Sequence, residues 1–230
     1  MAPMSGVRQV LEAERELERE FAAEATRSET APKGWPAALN LFHICMWRER
    51  LLKSLTDIRD GRPHVPPPED VDEFNDTELA TGLGVALSDV AARSDTLLVS
   101  LSEVYEAVGE QPLEWYEWKT TTEAVLGSSC IHPVNHFVEY FKENGDLASA
   151  VRLVERTTTE LRQMPAPPVN LGAQIYNLAC WRVAEGRADD AISLIEESVA
   201  ILPALKEWAP NDPDLAPLLD NPRFQAAVKT

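Results

Sequence analysis

The sequence predicts an all-α protein: an antiparallel four-helix bundle over residues 1–145, followed over 146–230 by helical hairpins expected to pack on it. Three observations carry that prediction. Apolar residues recur at helical spacing through heavily charged stretches, no segment between them makes a convincing strand, and the C-terminal part contains an internal repeat.

The first helix is placed from about Ser5 to Thr26, where Val7, Leu11, Leu17 and Phe21 stand at near-helical spacing among many charges. The second starts at Trp35-Pro36, because proline suits a first helical turn. It carries Leu41, Ile44, Leu51, Leu55 and Ile58 as a core stripe and ends before Asp60-Gly61. His43 borders this stripe, with Trp47 one turn on and Arg50 two turns on. A rigid proline-rich connection, Arg62 to Pro68, holds His64 in a loop expected to be exposed. Asn75 or Asp76 is then expected to cap a long third helix through Leu79, Leu83, Leu87, Val90, Leu97, Leu101, Val104 and Val108. The aromatic loop Leu113 to Trp118 leads to a fourth helix expected to begin at Ser128 or Ser129.

That fourth helix carries two of the four histidines, His132 and His136. Four residues apart, they project from one helical face, which is metal-ligand spacing. Glu139 and Glu143 share the histidine side, while Val134, Phe137, Val138 and Phe141 fall opposite and are expected to pack on the helices that follow. Next comes the repeat: Glu143 to Glu155 overlies Ala184 to Glu196 without a gap, with glycine, alanine, leucine and glutamate coinciding. The second copy resembles a tetratricopeptide repeat, with Leu178, Ala179, Gly186, Ala191, Ile195, Ser198 and Pro203 in the expected places. The first copy is a weaker match. Pro210 to Val228 reads as a capping tail.

Composition narrows the function. With 21 Lys+Arg against 38 Asp+Glu, a net charge of −17 repels phosphate backbones and anionic membranes, so neither nucleic acid nor membrane is an expected partner. Cys45, Cys130 and Cys180 are odd in number and in no paired arrangement, which suits a reducing compartment. A charged N-terminal segment and the lack of any long apolar run complete the expectation of a soluble, cytoplasmic protein.

The sharpest chemistry is a three-histidine metal site of His43, His132 and His136. Neutral imidazoles bind zinc or nickel well, and three protein ligands leave positions open for water or substrate. Placed near a helix N-terminus, His132, with His136 one turn on, would be kept from protonating by the helix dipole. The bland alternative is a solvated polar face with His43 at the edge of the core. Glu139 is a candidate fourth ligand or general base, against the ordinary reading of a solvated glutamate. Trp47 and Arg50 are candidates for a ring-and-cation platform beside the metal, against an arginine merely lying over an indole. Cys130 faces elsewhere and is expected to be buried. Trp115, Tyr116 and Trp118 could form a lid or simply anchor their loop.

With His43 on the second helix and His132-Pro133-Val134-Asn135-His136 on the fourth, the chain over roughly residues 5–145 resembles the DinB/YfiT-like family. The resemblance implies a four-helix bundle holding a divalent metal on these three histidines, and relatives that are thiol-dependent isomerases or S-transferases using mycothiol or bacillithiol. The expected function is therefore that of a divalent-metal-dependent enzyme activating a thiol or water for attack on a small electrophilic substrate, of S-transferase, isomerase or hydrolase type. Two alternatives stand beside it: a non-catalytic interaction protein using the tetratricopeptide-like helices, and a metal-free self-resistance hydrolase on the same bundle. A small-molecule substrate is the expected partner, with homodimerisation left open.

Overall fold

The computed structural model describes residues 6–28 and 32–229, and it is predominantly helical. The chain divides into two compact units, Met1–Leu153 and Val154–Thr230.

In the first unit, α1 (Gly6–Ser28) buries Val7, Val10, Leu11, Leu17, Phe21 and Ala25. Glu14 and Glu18 complete the same stripe and are also buried. The charges on this helix therefore do not all face water. Ser5, the expected first residue, lies outside the described residues.

α2 (Ala37–Arg59) is the central element, packed against α4 (Leu87–Val108) and α6 (His132–Glu143). Burial extends well beyond the expected stripe, to Phe42, His43, Met46, Trp47 and Arg48. A helix with neighbours on several sides buries more than one face. His43 therefore belongs to the interior. After α2, the connection through Pro68 is held to it by Ser54 Oγ donating to Val65 O at 2.8 Å, and His64 within it is half-buried, not exposed.

The single third helix expected from Asn75 to Val108 is broken. A short α3 (Val71–Leu79) is capped by Asp70, which accepts from Glu73 N at 2.9 Å, so Asn75 and Asp76 are interior to it and not its caps. A turn through Ala80–Gly82 follows, and α4 starts only at Leu87. Gly82 lies under the Phe42 ring with no room for a side chain, and Gly84 has φ +83°, so the two glycines make the break. Leu83, expected in the core, is 70% exposed.

The aromatic loop is a small antiparallel hairpin. Strand β1 (Pro112–Trp115) pairs with β2 (Trp118–Thr120), with Trp115 opposite Trp118. Its turn residue Tyr116 has φ +56°, where glycine is usual. The fourth helix then begins at Thr121, not at Ser128 or Ser129. α5 (Thr121–Leu126) is capped by the Thr120 hydroxyl and continues through a wide π turn, Gly127–Ile131, into α6. Phe137 stacks on Phe21 of α1 with centroids 4.1 Å apart, and Phe141 meets the same ring edge-on at 5.6 Å. Phe137 and Phe141 on the apolar side of α6 are thereby engaged with α1 within this unit.

The repeat shows itself in its turns. At the end of α6, Gly145 has φ +82° and Asp146 N donates to Phe141 O at 2.8 Å. At the end of α8 (Pro168–Ala184), Gly186 has φ +76° and Arg187 N donates to Arg182 O at 2.8 Å. Both are glycine-closed helix ends of the same hydrogen-bonding pattern. The helices that follow are α7 (Leu147–Arg162) and α9 (Ala188–Ile201). In the second unit α8 and α9 bury Ala179, Ala191, Ile192, Ile195 and Val199. Two short helices complete it, α10 (Leu205–Trp208) and α11 (Pro222–Ala227), and Leu215, Leu218 and Phe224 from the C-terminal segment fill the same core.

No helix among the described residues is long and apolar enough to cross a membrane. Cys45, Cys130 and Cys180 are all free thiols.

Candidate metal centre

His43 comes from the middle of α2, and His132 and His136 from successive turns of α6. Their Nε2 atoms converge: His43 to His132 is 3.1 Å and His136 to His132 is 2.9 Å. Nitrogens bound tetrahedrally at about 2.0–2.1 Å from a zinc ion stand about 3.3 Å from one another. The three ring nitrogens thus fit around one divalent ion with small movements.

Burial lowers the basicity of all three rings. It takes His43 down to about 3, helped by the nearby His136, and His136 down to about 4. His132 falls well below its ordinary value, chiefly through burial, then through His136, His43 and Arg48. Neutral imidazole is the form that ligates a metal. The cause differs from the expected helix dipole. Because α5, the π turn and α6 are continuous, His132 is not at a free helix N-terminus, and desolvation does the work.

Pro133 explains the π turn. It has no N–H to give to the carbonyl of Ser129, and its ring would collide with that carbonyl in a regular helix. The backbone widens so that His132 N bonds to Gly127 O, leaving Ser129 O turned to a different donor. That donor is the fully buried Arg48, whose Nη2 lies 2.7 Å away. Arg48 Nη1 donates in turn to Glu18 Oε1 and to Ser94 Oγ, both at 2.6 Å, and Ser94 Oγ donates to Glu18 Oε2 at 2.6 Å. Glu14 stands 3.8 Å from the guanidinium. A buried ion network on α1, α2 and α4 thereby grips the backbone three residues before His132.

Comparison with protein-family models, with curated proteins and with solved structures yields no match.

Trp35, just before α2, flanks the cluster. Its ring is nearly parallel to that of His136 at 6.0 Å and edge-on to His43 at 5.5 Å. Against His43 and His132 opens a cavity of about 370 Å³, bounded also by Trp47, Asn75, Trp115, Tyr116, Trp118 and Ile131. The hairpin aromatics are thus wall residues of the cavity, and Trp47 joins them, its Nε1 donating to Asn75 Oδ1 at 3.1 Å.

The remaining candidates separate from the site. Arg50 donates to Pro66 O at 3.0 Å and lies over the Phe74 ring at 5.2 Å, so the expected platform with Trp47 does not form. Glu139 is exposed, 3.4 Å from Lys142, and does not line the cavity. Cys130 is buried with its thiol pushed well up by desolvation, which leaves it unreactive.

Trp35 and Asn75 escaped sequence reasoning. Trp35 stood only as a helix-start signal, and Asn75 as a cap. Asn135, one turn from His132 and in the cavity wall, was legible from spacing had the histidine face been followed further.

A second group, Cys180, Asp212 and Asp214, has ligand-type atoms within 4.8 Å of one another. There Asp212 accepts from Tyr176 Oη at 2.7 Å and caps the turn through Asp214 N at 2.9 Å. Burial and both carboxylates push the Cys180 thiol up, the opposite of what a thiolate ligand needs. These contacts pin the C-terminal segment to α8.

Proposed function

We propose that this chain is a divalent-metal-dependent enzyme of the DinB/YfiT-like kind, a four-helix bundle with a tetratricopeptide-like extension, acting on a small electrophilic substrate. The observation that carries the reading is the convergence of three neutral imidazole nitrogens at the edge of a cavity. A zinc or nickel ion held there supplies Lewis acidity, lowering the pKa of a thiol or water for nucleophilic attack.

The chain's own residues supply position and environment. His43, His132 and His136 hold three ligand places and leave the cavity side free for nucleophile and substrate. Trp35 covers His136 and limits water on that flank. Beside the histidines, Glu117 is the ionisable acid of the cavity wall, so proton transfer falls to its carboxylate, to the nucleophile itself or to solvent. A thiol such as mycothiol or bacillithiol is the natural nucleophile for relatives of this kind, and S-transfer or isomerisation the natural outcome.

Metal content tests the reading directly. Untagged wild-type protein, from cells grown with zinc and nickel available, is expected to carry about one divalent ion per chain, and His136→Ala to lose it. Absence of a stoichiometric ion from wild type would sink the proposal. The thiol is tested separately: electrophile consumption should require an added low-molecular-weight thiol.

A further inference from the structure

The cavity beside the histidines has walls of an unusual kind. Four aromatic rings, Trp47, Trp115, Tyr116 and Trp118, surround it, and no lysine or arginine lines it. Its volume, about 370 Å³, falls in the range of small-molecule sites. Beside the histidines its polar groups are few: Glu117, Ser128 and Asn135 reach the wall, Trp47 Nε1 is taken by Asn75, and burial pushes the Tyr116 phenol up to about 12, so it stays uncharged.

Two backbone features keep these rings in place at a cost to local stability. Tyr116 sits at φ +56°, a conformation that a hairpin turn normally gives to glycine and that strains a bulky residue. Its ring is spent on the cavity rim, 5.9 Å from Trp47 and 6.3 Å from Trp115. Gly127, in the π turn, lies directly under Trp118: a side-chain carbon there would stand 2.1 Å from the indole. The glycine thus lets the indole lie flat against the helix as a wall. Strain retained at a cleft and a glycine cleared for a ring both point to a surface shaped for a ligand.

We propose that this chamber binds an uncharged, planar aromatic small molecule, held by ring contacts with Trp47, Tyr116 and Trp118. Multiply anionic compounds find no lysine or arginine on this wall, and its largely aromatic face suits the apolar electrophile better than a polar thiol cofactor. This deepens the reading of the site as a metal enzyme, since the divalent charge at its floor would repel a cationic guest of the kind aromatic cages otherwise hold.

The test is calorimetric titration of the full-length protein with 2-naphthol, after exhaustive chelation and again with zinc restored. Saturable binding at one per chain is expected in both states, with cyclohexylmethanol at least tenfold weaker in both and choline at least tenfold weaker once zinc is restored. Tyr116→Gly keeps the turn, because glycine accepts its φ, and is expected to weaken 2-naphthol at least fivefold with the melting temperature held or raised. Trp118→Leu provides a second wall variant should the first not fold, with the same loss expected. No saturation by 2-naphthol, equal binding of cyclohexylmethanol, preference for choline with zinc restored, or unchanged affinity in a folded wall variant would each overturn the proposal. Because the chelated protein is titrated, failure of metal binding and failure of the chamber are read independently.

Discussion

At the scale of the residue, Arg48 decides more than any single histidine. Its guanidinium is fully buried between Glu18, Ser94 and the Ser129 carbonyl, with Glu14 nearby. Removing one member of a buried ion network leaves the others desolvated and unpaired, which typically costs about 3–5 kcal/mol. Arg48→Met is therefore expected to destabilise the protein by about that amount in urea unfolding. Replacing Glu14 and Glu18 by leucine in the same variant should recover most of the loss, because an apolar set of similar size leaves no stranded charge. Failure of the double replacement to recover stability would show that Arg48 acts chiefly through the Ser129 carbonyl. None of this was legible in the sequence. Glu14 and Glu18 read as two more charges on an acidic helix, and nothing local distinguishes a carboxylate that meets a buried arginine from one that meets water.

The element that matters is the composite helix from Thr121 to Glu143. His132 and His136 were legible because their spacing is a property of one helix, independent of where that helix begins. Its start was not, because Ser128 and Ser129 have the form of a cap while Thr120, further back beside the hairpin, holds that role. Pro133 carried no structural reading of its own in the sequence, whereas its consequence is the π turn and the carbonyl surrendered to Arg48. Pro133→Ala restores an N–H able to close a regular bond to Ser129 O, in competition with Arg48. We expect it to shift the π turn and lower zinc affinity by about 10–100-fold, the effect usual for groups that orient a ligand, with a measured unfolding free energy changed by less than the affinity. Zinc affinity equal to wild type in a competitive chelator titration would mean that the turn is dispensable for the cluster. Similar reasoning covers the broken third helix: Leu79, Leu83 and Leu87 kept helical spacing across a gap, and only the pair Gly82 and Gly84 signalled the interruption.

For the molecule as a whole, three desolvated neutral histidines, His43 buried and His132 and His136 half-buried, make stability depend on pH in a defined direction. Above the unfolded value near 6.5, native and unfolded chains alike hold these rings neutral, and they contribute no slope. Below it the unfolded chain takes up protons that the native state refuses, since His43 and His136 are held down at about 3 and 4 and His132 well below its ordinary value. The unfolded state then binds more protons, so stability falls as pH falls, by up to about 1.4 kcal/mol per unit for each ring until its native value is reached. Metal-free protein should accordingly unfold at distinctly lower urea at pH 5.5 than at pH 7.5. Wild type holding zinc at one hundred times its dissociation constant gains about 2.7 kcal/mol at the higher pH, and that gain should shrink on acidification, because protons and metal compete for the same nitrogens. The triple variant His43→Gln, His132→Gln, His136→Gln removes these rings while leaving the carboxylates in place. It should lose both the zinc effect and most of the slope between pH 7.5 and 5.5, and a slope as steep as that of wild type would show that these three rings do not carry the acid sensitivity.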